Sequence, residues 1–282
     1  MCFYKQATTF FLFAALFFII PECTGQVSVW NMGSSPGKHK DRFSLKDWRN
    51  KIRQWGMEDS FRHQLSVSAG FNTNGWTGGA CYILNRNNKK RLFRLSVTEV
   101  MHEKETKVMQ ENTARYEIGT RTPFVFGKIH NLYLVQLGYG SELPLLPSLF
   151  EGTTHLGLMY SAGLSLCIAK PYYIHYIEDI GSDPYIVQIR YEAATSEQFL
   201  TRPNILGSAP WHKGLWESAI APGIFADAAL TIEPGRKSGL VKRMLLGVNF
   251  NYSVKPRAIL AEHEGRSFFP YCYIGIELGK RW

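Results

Sequence analysis

The sequence predicts an all-β chain: an antiparallel transmembrane β-barrel of eight strands, ten being the other count it allows, preceded by a short amphipathic N-terminal helix. Three observations carry this. Many segments alternate apolar and polar residues with a period of two, the signature of a strand with one apolar face. Past the N-terminus no apolar run approaches the ~20 residues of a spanning helix, although 14% of the 282 residues are aromatic and 25 are glycine. The chain ends on Trp282 in one such segment, where Cys272, Ile274, Ile276 and Leu278 alternate with Tyr273, Gly275, Glu277 and Gly279, as expected of a strand that closes a barrel.

The elements follow in order. Residues 1–25 read as a signal peptide: Lys5, an apolar run from Phe10 to Ile20, then the small residues Thr24 and Gly25. A lipoprotein reading competes through Cys23. Cleavage after Gly25 removes 25 of 282 residues and leaves 257, enough for one large domain. The net charge is +9. Cys81, Cys167 and Cys272 then remain, an odd number with neither disulfide nor metal spacing.

Residues 26–63 form a basic periplasmic segment. Ser44 is placed to cap a helix in which Leu45, Trp48, Ile52 and Trp55 share one face among Lys46, Arg49, Lys51 and Arg53. Three readings stand: a helix on the membrane surface with Trp48 and Trp55 as interface anchors, a plug for the barrel, or a docking helix for a protein partner. A secreted chain argues against nucleic acid as the partner.

Residues 64–282 are the barrel. Leu65, Val67, Ala69 and Phe71 face out against Ser66, Ser68 and Gly70, and Asn72-Thr-Asn-Gly75 is a hairpin turn. The second strand runs from about Gly78 to Leu84. The third turns Phe93, Leu95 and Val97 out and Arg94, Ser96 and Thr98 in. The fourth sets Tyr133, Val135, Leu137 and Tyr139 against Gln136, Gly138 and Gly140. The fifth and longest is expected from about His155 to Tyr176, carrying Tyr172 and Tyr176 to the aromatic girdle beyond the hydrocarbon. The sixth spans Trp216 to Glu233 with Asp227 inside. The seventh turns Met244 to Val254 out on alternate positions, with Arg243, Asn249 and Asn251 inside. The closing strand ends on Trp282, a further interface anchor. The long connections at 101–128, 177–214 and 255–267 then fall on the outer side with the turn at 72–77, and those at 85–90, 141–153 and 233–239 on the periplasmic side. The ten-strand version adds Tyr185 to Tyr191 and one strand from 112–126.

Eight strands leave an interior that side chains fill. The inward charges Arg94, Asp227, Arg243 and Glu277 must pair, because an unpaired buried charge is expensive. Their structural reading is an ion-paired filler core; their functional reading is a proton or substrate path. Catalytic chemistry finds little support. His175 and Ser165 lie ten residues apart on one expected strand, roughly 33 Å at strand rise. His102-Glu103-Lys104-Glu105 lacks metal spacing, and His212 and His263 have no partner legible in the sequence. No metal, cofactor or enzymatic activity is expected.

The segment Gly163-Leu-Ser-Leu-Cys-Ile-Ala-Lys-Pro-Tyr-Tyr173, with Gly127-Lys128, Gly138-Tyr-Gly140 and the tail Gly279-Lys-Arg-Trp282, resembles a group of Bacteroidetes-type outer-membrane β-barrels that end in Gly-Lys-Arg-Trp. The resemblance runs from about Leu65 to Trp282, with Cys167 standing where glycine is expected. It implies location and fold and brings no activity. The expected role is structural or interactive, as an outer-membrane protein or an accessory subunit of an assembly or secretion complex. A narrow pore is the alternative, and a lipid-modifying hydrolase stands behind it. Expected partners are outer-membrane lipid and lipopolysaccharide, the barrel-assembly machinery through the C-terminal strand, and a protein in a membrane complex.

Overall fold

The computed structural model describes residues 61–86, 89–109, 122–146, 154–180, 183–192, 195–200, 204–235, 239–261 and 263–282. The signal peptide and the N-terminal helix with Trp48 and Trp55 lie outside them.

Eight strands close a barrel: β1 (His63–Asn72), β2 (Gly75–Arg86), β3 (Lys89–Val100), β6 (His130–Leu146), β7 (His155–Pro171), β11 (Ala219–Glu233), β12 (Leu240–Arg257) and β13 (Arg266–Arg281). Every neighbour is antiparallel, and β1 pairs with β13 to close the ring. Five shorter strands lie in the long connections: β4 (Lys107–Val108), β5 (Phe124–Val125), β8 (Tyr173–Ile180), β9 (Asp183–Arg190) and β10 (Ile205–Ser208).

The register fixes the barrel's dimensions. From Lys242 the cross-strand partners run Leu278, Val67, Ala80, Leu95, Leu137, Leu164 and Ile224, and return to β12 at Tyr252. The path comes back ten residues from its start, 242 to 252, and every residue on it faces outward. Eight strands with a stagger of ten tilt by roughly 40° and enclose a radius of about 8 Å, a bore that side chains fill. The same ten residues, at ~3.3 Å each along the tilted strand, rise about 25 Å, the height of the apolar band of a barrel in lipid.

Alternation does the rest. On β12 buried and exposed residues alternate from Leu240 to Val254, with Leu246, Val248, Phe250 and Tyr252 on the exposed face and Arg243, Leu245, Asn249 and Asn251 on the buried one. The same holds on β1, β3 and β13. The exterior carries Val67, Phe71, Leu137, Leu164, Ile224 and Leu278, each more than half exposed. In water such a surface would be a severe liability; in hydrocarbon it is the matched face.

Two expectations are corrected. The strand beginning at His155 leaves the barrel wall at Pro171 and does not continue to Tyr176. Proline has no N–H to give a neighbouring strand, and from Tyr173 the chain joins a separate three-stranded sheet, β10-β8-β9. The β-prone run Tyr172-Tyr-Ile-His-Tyr176 is extended for a different partner. For the same reason the ten-strand barrel is excluded: the strand at Tyr185 is real, but it pairs with β8 in that sheet. Smaller shifts lengthen β2 to Gly75–Arg86 and β6 to Leu146. The β1–β2 turn is the expected one. Gly75 has φ +151, where a Cβ would lie 2.6 Å from the Glu99 carbonyl oxygen.

The long connections gather at one end and are tied together. Phe124, Ile174, Tyr176, Phe199 and Ile205 form a second apolar core, away from the barrel's. Thr122 Oγ1 donates to the Ser208 carbonyl at 2.9 Å and Ser208 Oγ to that of Pro123 at 2.9 Å, joining the second long connection to the first. The Ile129 N–H reaches the Ile259 carbonyl at 2.8 Å, joining the third.

A closed wall without free edges predicts heat-modifiable migration. Extracted in mild detergent and run unboiled in SDS, the protein should migrate ahead of its boiled form. Identical migration with and without boiling would contradict the closed ring.

Candidate functional site: the lumen and its two rims

The interior is filled in layers, because each inward position of one strand meets an inward position of the next at nearly the same height. At the terminal end of the barrel, where β1 begins and β13 finishes, Arg281 grips Glu233 through two parallel bonds of 2.7 and 2.6 Å and donates through Nε to Gln64 at 2.8 Å. Its guanidinium lies 5.2 Å from the ring centroid of Phe61. One layer further in, Glu142 accepts from Lys90 at 3.3 Å and Arg243 at 2.7 Å. Arg243 also binds Glu277 at 2.8 Å, and Glu277 accepts from Ser66.

The third layer is a mixed network. Arg94 meets Asp227 at 2.7 Å and the Tyr273 hydroxyl at 3.0 Å; that hydroxyl donates to Asp227 at 3.0 Å. Asn249 donates to the second Asp227 oxygen at 3.0 Å, and Gln136 to Asn249 at 3.1 Å. Ser96 and Tyr271 complete the chain to Gln136. Gly247 makes room for it, since a Cβ there would sit 2.5 Å from the Tyr273 ring. Above this, Val100, Leu132, Leu134, Cys167, Ala221, Ile259 and Phe269 are all buried and close the loop end with apolar side chains.

The four expected charges, Arg94, Asp227, Arg243 and Glu277, therefore all lie inside the barrel, paired as Arg94–Asp227 and Arg243–Glu277. Sequence reasoning missed their partners. Lys90, Glu142 and Glu233 fall at the edges of the expected connections at 85–90, 141–153 and 233–239, and Arg281 stands out only as part of the Gly279-Lys-Arg-Trp282 tail. Strand parity was the available signal: Glu142 lies six residues from Gln136, Glu233 six from Asp227 and Lys90 four from Arg94, always an even step. With these residues the network holds four cations and four carboxylates, so it carries no net charge that would attract a permeant ion.

The interface anchors are redistributed. Trp282 is exposed at the terminal end and stacks on His63 with ring centroids 5.8 Å apart, and His63 Nδ1 lies 2.7 Å from the Tyr82 hydroxyl. Tyr172 and Tyr176 are not on the lipid face. Tyr176 is buried in the core of the loop sheet, and the Tyr172 hydroxyl accepts the Val125 N–H at 3.2 Å. Burial there raises the Tyr172 hydroxyl above its ordinary pKa. Their places at the loop-side rim are taken by Trp76 and Tyr252, both exposed, and by Trp211, whose Nε1–H reaches Tyr133 at 3.1 Å.

His102 and His263 face one another at 4.9 Å in the loops. Burial, then the Arg266 charge and His263, hold the His102 imidazole below the ordinary histidine range. Among the described residues no group of three or more His, Cys, Asp or Glu is arranged to hold a metal ion.

Ring closure, an outward apolar band of about 25 Å and an ion-paired interior define the class: a small transmembrane β-barrel with a filled lumen. No protein-family model and no curated protein matches the chain. Three solved structures align with 78% of it. The N-terminal β-barrel domain of Pseudomonas aeruginosa OprF is 8% identical, 97% covered, with a TM-score of 0.31. Neisserial surface protein A is 9% identical, 96% covered, TM-score 0.33. Ail, the attachment invasion locus protein of Yersinia pestis, solved with the heparin analogue sucrose octasulfate, is 9% identical, 97% covered, TM-score 0.31.

The layered network predicts a specific cost. Arg243→Met leaves Glu277 with no cationic partner and takes one cation from Glu142, an uncompensated buried charge that costs about 3–5 kcal/mol. The temperature at which the unboiled band is lost should fall sharply, and adding Glu277→Gln should restore part of the loss. Unchanged heat resistance in the single variant would show that the pair is not buried.

Proposed function

We propose that this chain is an integral outer-membrane protein with a structural or interaction role, its barrel a closed anchor and its knitted loops the working surface. The observation that carries the reading is the filled bore. Three polar layers satisfied mainly by side chains of opposite walls, capped by an apolar cluster at the loop end, leave the inward charges committed to one another. Buried pairs of this kind hold their partners tightly, which suits a filler core better than a substrate path.

The loops support the interactive half of the reading. They own an apolar core, and they are cross-tied, so they present a shaped surface. Such a surface suits an accessory subunit that docks on a partner in a membrane complex. A secreted barrel of this size reaches the outer membrane through the assembly machinery, which receives the C-terminal strand β13. A non-catalytic role fits a lumen whose four cations and four carboxylates pair with one another across the bore.

Purified protein reconstituted in planar bilayers should give no stable conductance steps at neutral pH. Long-lived, uniform channels would overturn the filler-core reading and favour the narrow pore.

A further inference from the structure

The exterior of the barrel is not uniform at the end where β1 begins and β13 finishes. Because the register climbs ten residues per turn, positions at one height step toward the termini from strand to strand. Starting at Lys242 on β12, that level passes Lys280 on β13, Leu65 on β1, Tyr82 and Leu84 on β2, Arg91 on β3, Leu143 on β6, Leu156 on β7 and Ile232 on β11. Half of this ring is aliphatic. Lys242 and Lys280 are exposed side by side on β12 and β13, and a third exposed cation, Arg91, stands three strands further round on β3.

We infer that the basic arc formed by Lys242 and Lys280 binds the phosphate headgroup of an anionic phospholipid in the leaflet at the end of the barrel where β13 finishes. The inference rests on the membrane reading above and adds to it a ligand class and a site.

Four features point there. Lys242 and Lys280 are diagonal neighbours on paired strands, since Lys242 faces Leu278 and Lys280 lies two residues on. Diagonal positions stand ~7–8 Å apart, close enough for two ammonium groups to share one phosphate. Neither lysine nor Arg91 is paired with a carboxylate among the described residues, unlike every cation in the lumen. Their neighbours Leu65, Leu240 and Leu278 are each about half exposed on the lipid face, so the long stems run over apolar surface and their heads reach headgroup depth. That depth selects a lipid over a water-borne acidic partner. Finally, the gap between the cations is filled by the aromatic cluster of His63, Tyr82 and Trp282, whose amphipathic rings suit the same interfacial layer.

The test is native mass spectrometry of the detergent-extracted protein titrated with dioleoylphosphatidylglycerol or dioleoylphosphatidylcholine. The wild type should retain the glycerol lipid at least about tenfold more tightly. The double variant K242Q/K280Q should lose that preference, and K213Q, in the loops at the other end, should keep it. Heat-modifiable migration of each preparation separates the two readings. If the wild type shows no heat-modifiable band, the membrane-barrel reading fails. If it shows the band and still binds both lipids equally, or if the double variant keeps the preference, the site is overturned. Displacement of the lipid by an equal concentration of inorganic phosphate would also overturn it, since the arc would then hold a free ion.

Discussion

The stagger of ten residues around eight strands is the constraint on which the rest depends. It sets a radius of about 8 Å, and at that radius opposite walls stand within reach of one another's side chains. An inward arginine on β3 can therefore meet an aspartate on β11, and one on β12 can meet glutamates on β6 and β13. A wider ring would leave the same groups facing water and free to line a channel. Here they face each other in a medium that shields little, so each must find a counter-charge and a hydrogen-bond partner in its own layer.

Small residues serve the same constraint. Gly247 yields the space that the Tyr273 ring occupies, and Gly138 lies under Phe225, where a Cβ would sit 2.7 Å from the ring. Large inward residues and glycines thus alternate across the bore. The outer face answers to a different solvent, and it is uniform where the inner one is varied: leucine, valine, isoleucine and aromatic residues recur on every strand. The exceptions fall at the rims, as aromatic clusters at both ends and as the cations of the terminal-end arc.

Much of this was legible in the sequence, because a period of two is a local signal that needs no knowledge of partners. Ser66, Arg94, Gln136, Asp227, Asn249 and Glu277 were all placed inside by parity alone. Three things escaped. Residues near strand ends, such as Lys90, Glu142 and Glu233, resembled turn chemistry because polar inward faces and polar turns have the same composition. The exit of the chain from the wall at Pro171 was masked by the β-prone tyrosines beyond it, since alternation reports extension but not the partner strand. The knitting of the loops rests on contacts such as Thr122 with Ser208, 86 residues apart, which no local pattern encodes.

The central claim, one face in hydrocarbon and the other in a packed interior, is tested most directly on β12. Each residue from 243 to 250 would be replaced one at a time by a spin-labelled cysteine in a background without other cysteines, and the protein reconstituted in vesicles. Oxygen collision rates should oscillate with a period of two, high at 244, 246, 248 and 250 and low at 243, 245, 247 and 249. A flat profile, or a rate for a water-soluble nickel reagent that exceeds that of oxygen at the even positions, would contradict the account.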